Sequence, residues 1–296
     1  YIPIITKPDN YQPSIGDSSE TKQSRRKVYK NIYDFEAGIS VMQYEKPYKF
    51  YTTFIAGYSS KIHKHKDDLS ITLNYKSKDF LVDPGKYSYT SNDTRLYITS
   101  KEAHSSFYLK DFDYTIKDEN RYTRNIKLEN HYENQHYTLV SGTHRDYDGS
   151  HARLTRTVIQ FKKYPIILLA DRVMSKAKHH MKLEQNFNLA SDVSVTENQK
   201  KYKLISGDEE MTIQQFLPSF RAALIEGDID TPNAVNTAGF AKVKKTKQIK
   251  FNRATKQSDA FITGIFDERV IGDININIQD NTLEVTVKDK IIYIYL

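Results

Sequence analysis

The chain has no cysteine and no tryptophan. Without thiols it can form neither disulfides nor cysteine metal sites, and it remains compatible with export. No apolar run approaches the roughly 20 residues that a membrane-spanning helix requires. Tyr1 is not an initiator methionine and no signal peptide follows it, so the chain is expected to be a processed product or an excised fragment. Gly-rich phosphate loops, Gly-x-Ser-x-Gly elbows and zinc-ribbon spacings are all missing. So are a long amphipathic helix and a repeat of fixed period, which argues against a bundle or a solenoid.

What is present favours strands. The 296 residues include 22 tyrosines and 14 phenylalanines, residue types that suit a pleated, half-buried surface. The length allows a large core or two modest domains. The formal net charge of +7 suits a polyanionic partner, since charge governs encounter more than fold. Nucleic acid, anionic membrane and acidic polysaccharide all meet that description.

Residues 1–33 combine Pro, Gly, Ser and charge, as in KPDNYQPSIGDSSETKQSRRK, and read as a linker or the tail of a missing N-terminal domain. From Asp34 onward, short alternating runs are separated by turns such as Gly207-Asp208 and Asp280-Asn281. Phe50–Ala56, Leu69–Tyr75, Phe80–Asp83, Leu154–Phe161, Ile166–Arg172, Met181–Leu189, Ala260–Phe266 and the closing IIYIYL are among the predicted strands. Many short strands with turns between them predict an all-β fold for 34–296, a large antiparallel multi-stranded β-sandwich.

His63, His65 and Asp67 alternate in KIHKHKDDLSITL. In a strand, residues two apart share a face, and the odd positions continue as Leu69, Ile71, Leu73 and Tyr75. Two imidazoles and a carboxylate are thus expected on the core side of one strand, with Lys64, Lys66 and Asp68 on its wet side. Buried polar groups are costly unless paired or metal-bound. Next, FLVDPGKYSY ends a short apolar strand at Asp83, before a Pro84-Gly85 turn, and RLYITSKEAHSSFYL adds Arg95, Tyr97 and His104. Imidazoles with a carboxylate fit zinc. For any single histidine, a strand-end residue capping backbone groups is an equal alternative; for the set together it is not.

These blocks resemble the C-terminal domain of the heparinase II/III-like polysaccharide lyases. That family shows His-x-His-x-Asp-x-Leu-Ser, a strand ending Asp-Pro-Gly, then Arg-x-Tyr and Ala-His-Asn. FEAGISVMQ resembles the opening strand, and ARLTRTVIQF with IILLADRV a later strand pair ending at Asp171-Arg172-Val173. The resemblance spans about residues 35–190, with one departure, Ser105 in place of the family's Asn. It implies β-elimination on a uronic-acid-containing polysaccharide. It places His63 at the catalytic cleft with Tyr97 and makes Arg95 a candidate for substrate charge or for bracing the site. It also gives His65, Asp83 and His104 to a structural zinc ion, with Asp67 orienting a ligand from behind. Full-length members also carry an N-terminal α/α toroid that completes the cleft. This chain is too short at its start to contain one, so little activity is expected of it alone, and an extracellular or cell-surface location is implied.

Other features have plainer readings. Tyr89 and its neighbour Tyr87 are candidates to stack on a sugar ring, against ordinary packing in a tyrosine-rich chain. His179-His180 reads as a turn entering a strand. KVKKTKQIKFNRATK, 242–256, reads as a solvated β-edge. Two rival functions are a non-catalytic, zinc-containing carbohydrate-binding or scaffolding module and, ranked last, a basic nucleic-acid-binding β protein, which needs stacking aromatics on an exposed basic face.

Overall fold

The computed structural model describes residues 2–118, 123–176, 180–198, 201–217 and 220–296. Its strands run in chain order as β1 (Ile32–Asp34), β2 (Ile39–Tyr44), β3 (Phe50–Ile55), β4 (Ser70–Tyr75), β5 (Lys78–Leu81), β6 (Phe107–Leu109), β7 (Ile126–Glu133), β8 (Tyr137–His144), β9 (Ala152–Phe161), β10 (Ile166–Ser175) and β11 (Met181–Asn188). They continue as β12 (Ser194–Asn198), β13 (Lys201–Ser206), β14 (Glu209–Gln215), β15 (Arg221–Glu226), β16 (Val235–Gly239), β17 (Lys242–Lys245), β18 (Lys247–Thr255), β19 (Ser258–Phe266), β20 (Ile274–Gln279), β21 (Thr282–Val287) and β22 (Lys290–Tyr295).

An eight-stranded antiparallel sheet, β12-β13-β14-β19-β10-β9-β8-β7, is the backbone of the sandwich. One of its faces meets a five-stranded sheet, β1 to β5, and a four-stranded sheet, β15-β18-β11-β6. The main core lies there, with Phe54, Ile71, Phe107, Val158, Leu169, Phe187 and Phe251 all buried. Fully burying side chains of this size contributes about 1.5–3 kcal/mol each. The other face receives the three-stranded sheet β20-β21-β22 over a second cluster that includes Ile159, Leu168, Ile262, Leu283 and Ile294. Burial on both faces is why IILLA in β10 reads as a continuous apolar run. The wetter β21 alternates instead, with Leu283, Val285 and Val287 inside.

Two expectations need correction. First, residues 61–69 are not a strand. The chain loops through His63 (φ 62°) and Leu69 (φ 61°), and β4 begins only at Ser70. Both faces of β4 are buried, so the alternation of His63, His65 and Asp67 is no shared strand face. Second, only part of 242–256 is an edge: β17 is exposed in the two-stranded sheet β16-β17, but β18 lies between β15 and β11, with Ile249 and Phe251 in the core. Its lysines disguise it, and Lys250 turns to Glu184 of β11 at 3.4 Å. Residues 2–33, read as a linker or tail, pack against the domain where they meet it. Lys7 is buried against Glu20 (2.6 Å) and Asp79, and the Tyr51 hydroxyl donates to the Ile5 carbonyl at 2.6 Å. His180 is exposed immediately before β11, and His179 lies outside the described residues.

Candidate functional site

Four stretches of irregular chain meet at the ends of β3, β4, β5 and β6: residues 16–17, 61–69, 83–89 and 92–106. The fourth includes a short helix, Asp93–Ile98, whose N-terminus is closed by the Asn92 side chain accepting from the Arg95 N–H at 2.9 Å. Such a cap satisfies one of the orphan donors at the first turn. The helix projects Arg95 and Tyr97.

The loops are fixed from beneath. Arg156 of β9 is fully buried and pairs with Asp171 of β10 through two bonds of 2.8 and 2.6 Å. Its remaining N–H groups reach the carbonyls of Leu69 (2.7 Å) and Ser105 (2.9 Å). Those residues follow the His65 loop and His104, so one guanidinium ties both to the large sheet. Ser105, where the family carries Asn, instead accepts the Asn188 N–H on its hydroxyl at 2.9 Å and fastens the loop to β11.

Within the His65 loop, Lys64 is buried between Asp67 and Asp68. Burial disfavours its charge, but the two carboxylates outweigh that and its pKa is raised, so it stays protonated. Burial also pushes the Asp68 carboxyl up, in the face of the Lys64 charge. For Asp67 burial is overcome by Lys64 and the nearby imidazoles, and its pKa is lowered. Asp67 therefore bonds Lys64. The carboxylate that orients a histidine is Asp17, whose Oδ1 lies 2.9 Å from His65 Nε2.

His65, Asp83 and His104 converge. Their ligand atoms all lie within 4.8 Å of one another, and all three residues are buried. The two imidazole rings are 5.5 Å apart. His104 Nδ1 meets Asp83 Oδ2 at 2.9 Å, and Asp83 Oδ1 accepts the Gly85 N–H at 3.0 Å. Burial disfavours the His104 imidazolium, yet Asp83 offsets this and the pKa is raised. His65 Nδ1 and His104 Nε2 are buried with no hydrogen-bond partner among the described residues. Orphaned buried nitrogens are rare and costly. Two imidazoles and a carboxylate around them form a donor set that fits a metal ion such as zinc.

His63 stands above this cluster, with its side chain 57% exposed. Its Nδ1 lies 3.2 Å from the Tyr89 hydroxyl and 3.5 Å from Asp17 Oδ2. Gly16 and Asp17 clasp its backbone: the Asp17 N–H donates to the His63 carbonyl at 3.1 Å. A Cβ at Gly16 would lie 2.8 Å from that oxygen. Arg95 forms a two-point ion pair with Asp17, one bond at 2.8 Å. Lys86 Nζ sits 4.9 Å from the exposed Tyr89 ring. An exposed imidazole and an exposed phenol thus stand together, with two partly buried cations beside them. Tyr97 is placed differently: its hydroxyl accepts N–H groups from Ala234 and Gln248, each at 2.8 Å, and burial raises its pKa. Its bonds run to the β16–β18 side of the fold rather than to His63.

Sequence reasoning missed Asp17, which holds His65, Arg95 and His63 at once. Its only local signal is the Gly-Asp pair in SIGDSS, a turn dipeptide that elsewhere marks nothing more than a turn.

No curated protein matches the chain in sequence. The solved structure of the heparan sulfate lyase HepC from Pedobacter heparinus superposes with a TM-score of 0.81 at 15% identity, covering 99% of this chain and 51% of its own. That of heparinase III superposes at 0.76 with 14% identity, covering 100% and 52%. The chain thus spans about half the length of these structures, which share its fold. The family described as heparinase II/III-like, C-terminal, matches residues 36–265, reaching well past the stretch whose motifs stand out by eye. The chain belongs to that heparinase II/III-like family, as its C-terminal domain.

Proposed function

We propose that the chain is the β-sandwich part of a polysaccharide lyase that cleaves uronic-acid-containing polysaccharide by β-elimination, together with an N-terminal α/α toroid domain. The observation that carries this reading is the solvent-facing pair of His63 and Tyr89, with the partly buried Arg95 beside it, on a base of buried ion pairs, in a chain of this family. β-Elimination requires the uronate carboxylate to be neutralised, the C5 proton to be removed and the departing glycosidic oxygen to be protonated. His63 is assigned to the carboxylate or the proton, because it is exposed while its orientation is fixed by Asp17 and Tyr89. Arg95 and Tyr89 are assigned to the sugar, one by charge and one by its ring face. Zinc held by His65, Asp83 and His104 would pin the loops that present these groups. The orphaned nitrogens of the two histidines support that assignment. An extracellular or cell-surface location suits a polymer of this kind.

The test is formation of unsaturated uronate, read by its ultraviolet absorbance. The chain joined to its toroid should act on at least one acidic polysaccharide and on no neutral one. His63→Ala should lower turnover by about 10²–10⁴, the range for a positioned acid or base. Reducing the uronate carboxyls to alcohols should abolish it. Robust elimination by residues 1–296 alone would move the base into this chain, with Tyr97 next to be tested. Hydrolysis of a neutral glycan without a double bond would overturn the proposal.

A further inference from the structure

Along β9 and β10 successive side chains point to opposite faces. Arg156 and Asp171 point toward the candidate site. Thr155, Thr157 and Arg172 point the other way, to the face that β20–β22 cover only in part. Where that cover stops there is a cavity of about 500 Å³. Its floor includes Ser141, Thr155, Thr157 and Arg172, and its rim carries Tyr132, Tyr293 and Tyr295. Those tyrosines are 54%, 52% and 75% exposed.

Two features set the cavity apart. Among the described residues no aspartate or glutamate side chain lines it, although the chain has 37 acidic residues. Arg95, Arg156, Arg253 and Arg269 each meet a carboxylate. Arg172 meets only the Asn281 side-chain oxygen, at 2.9 Å, and has no ion pair among the described residues. Burial pulls its pKa down and no neighbouring acid offsets this. A partly buried guanidinium without an anion is a costly arrangement unless a ligand supplies one. Exposed aromatic rings beside it offer flat, amphipathic faces of the kind that pyranose rings stack on. The volume is within the range of small-ligand sites.

We propose that this cavity is a second glycan-binding site, separate from the His63 site and on the opposite face of the eight-stranded sheet. It takes a uronate residue, with the carboxylate on Arg172, the ring against Tyr293 and Tyr295, and hydroxyls on Ser141, Thr155 and Thr157. Its role is to hold the polymer, not to cleave it. The choice of polymer rests on the proposed lyase reading; the chemistry of the cavity does not.

The test is calorimetric titration with an unsulfated tetrasaccharide of alternating N-acetylglucosamine and glucuronic acid. Its carboxyl-reduced form and maltotetraose serve as controls. A His63→Ala background prevents turnover. Arg172→Gln and the double change Tyr293→Ala/Tyr295→Ala alter exposed or half-exposed positions and should leave the melting temperature in place. Each should weaken binding of the acidic tetrasaccharide by about tenfold or more, equivalent to roughly 1.4 kcal/mol. The reduced sugar should bind as weakly to the unsubstituted cavity. In the otherwise native enzyme, the same changes should raise KM for long polymer and leave kcat unchanged. Equal affinity in both variants, or equal affinity for the reduced sugar, overturns the proposal. If no uronan is ever eliminated while Arg172-dependent binding persists, the lyase reading fails and this site stands.

Discussion

Asp17→Asn tests the candidate site most sharply, because it removes one charge and almost no volume. The carboxylate accepts from both terminal nitrogens of Arg95, from His65 Nε2, and lies 3.5 Å from His63. Hydrogen bonds to charged groups are each worth about 1.5–3 kcal/mol, and bonds sharing one acceptor group do not add. The Arg95 side chain keeps 18% exposure, so water recovers part of its loss. The net cost should be about 2–4 kcal/mol, lowering the melting temperature by roughly 5–10 °C for a domain of this size. The His65 ring would also lose the partner that fixes its orientation, which typically costs 10–100-fold in metal affinity. The pH dependence adds a signature. Burial opposes the Asp17 charge, but His65 and Arg95 outweigh it and hold the pKa well below the ordinary carboxylate value. A lowered folded pKa stabilises above the unfolded value, near 3.9, and the benefit fades as pH falls through the folded pKa. The stability gap between the native protein and the Asp17→Asn variant should therefore be full at neutral pH and shrink below about pH 4. Differential scanning calorimetry from pH 3 to 7, with competitive zinc titration at neutral pH, measures both effects. Unchanged stability and unchanged metal affinity would refute the role given to Asp17.

Protein purified without chelator should hold close to one zinc ion per chain by metal analysis. His65→Ala or Asp83→Ala should lose it and melt lower, since an ion bound only to the native state stabilises that state. His63→Ala should keep both metal and melting temperature; metal loss equal to that of His65→Ala would refute the separation of their roles. Asp171→Ala strands a fully buried Arg156 and should cost about 3–5 kcal/mol by denaturant titration. His144 lies between Tyr114 and Tyr147, both rings 4.3 Å away. Burial, with Lys64 and Lys101, pushes its pKa well down. It is thus neutral when folded, and stability should fall as pH drops below the unfolded value near 6.5, by up to about 1.4 kcal/mol per pH unit. His144→Phe should flatten that slope.

The sandwich was legible because strand pairs such as Leu154–Phe161 and Ile166–Arg172 carry apolar runs that only a sheet can bury. β18 was not, because KFNR in a lysine-rich stretch reads as surface until Phe251 is seen in the core. His65, Asp83 and His104 do converge, yet the strand spacing that singled out the first is absent from the fold. His63 and His65 differ in burial because the loop turns through a left-handed backbone at His63, which no period-two pattern anticipates. Asp17 escaped because its partners are 46 to 78 residues away in sequence, and no local period links residues so far apart.

The site's rigidity and its exposure come from different parts of the fold. Loops alone would lose conformational entropy on every bond they make. Here the loops are held where their carbonyls meet Arg156, where Asn188 meets Ser105, and where Lys64 closes on two aspartates. Each anchor is buried, and each satisfies a charge or backbone group that would otherwise destabilise the core. His63 and Tyr89 can therefore remain in water without wandering, because the order they need is fixed one layer below them. An apolar replacement of that layer removes the ion pair itself at little cost, as buried pairs often allow, but it leaves the Leu69 and Ser105 carbonyls and the Gln185 amide without their partner, at about 1–3 kcal/mol each. It would free the loop ends, and turnover should fall by more than the loss of folded protein accounts for. Arg156→Met with Asp171→Leu is the pair that separates the two: a folded, zinc-binding, slow enzyme supports positioning, and an equally fast one refutes it.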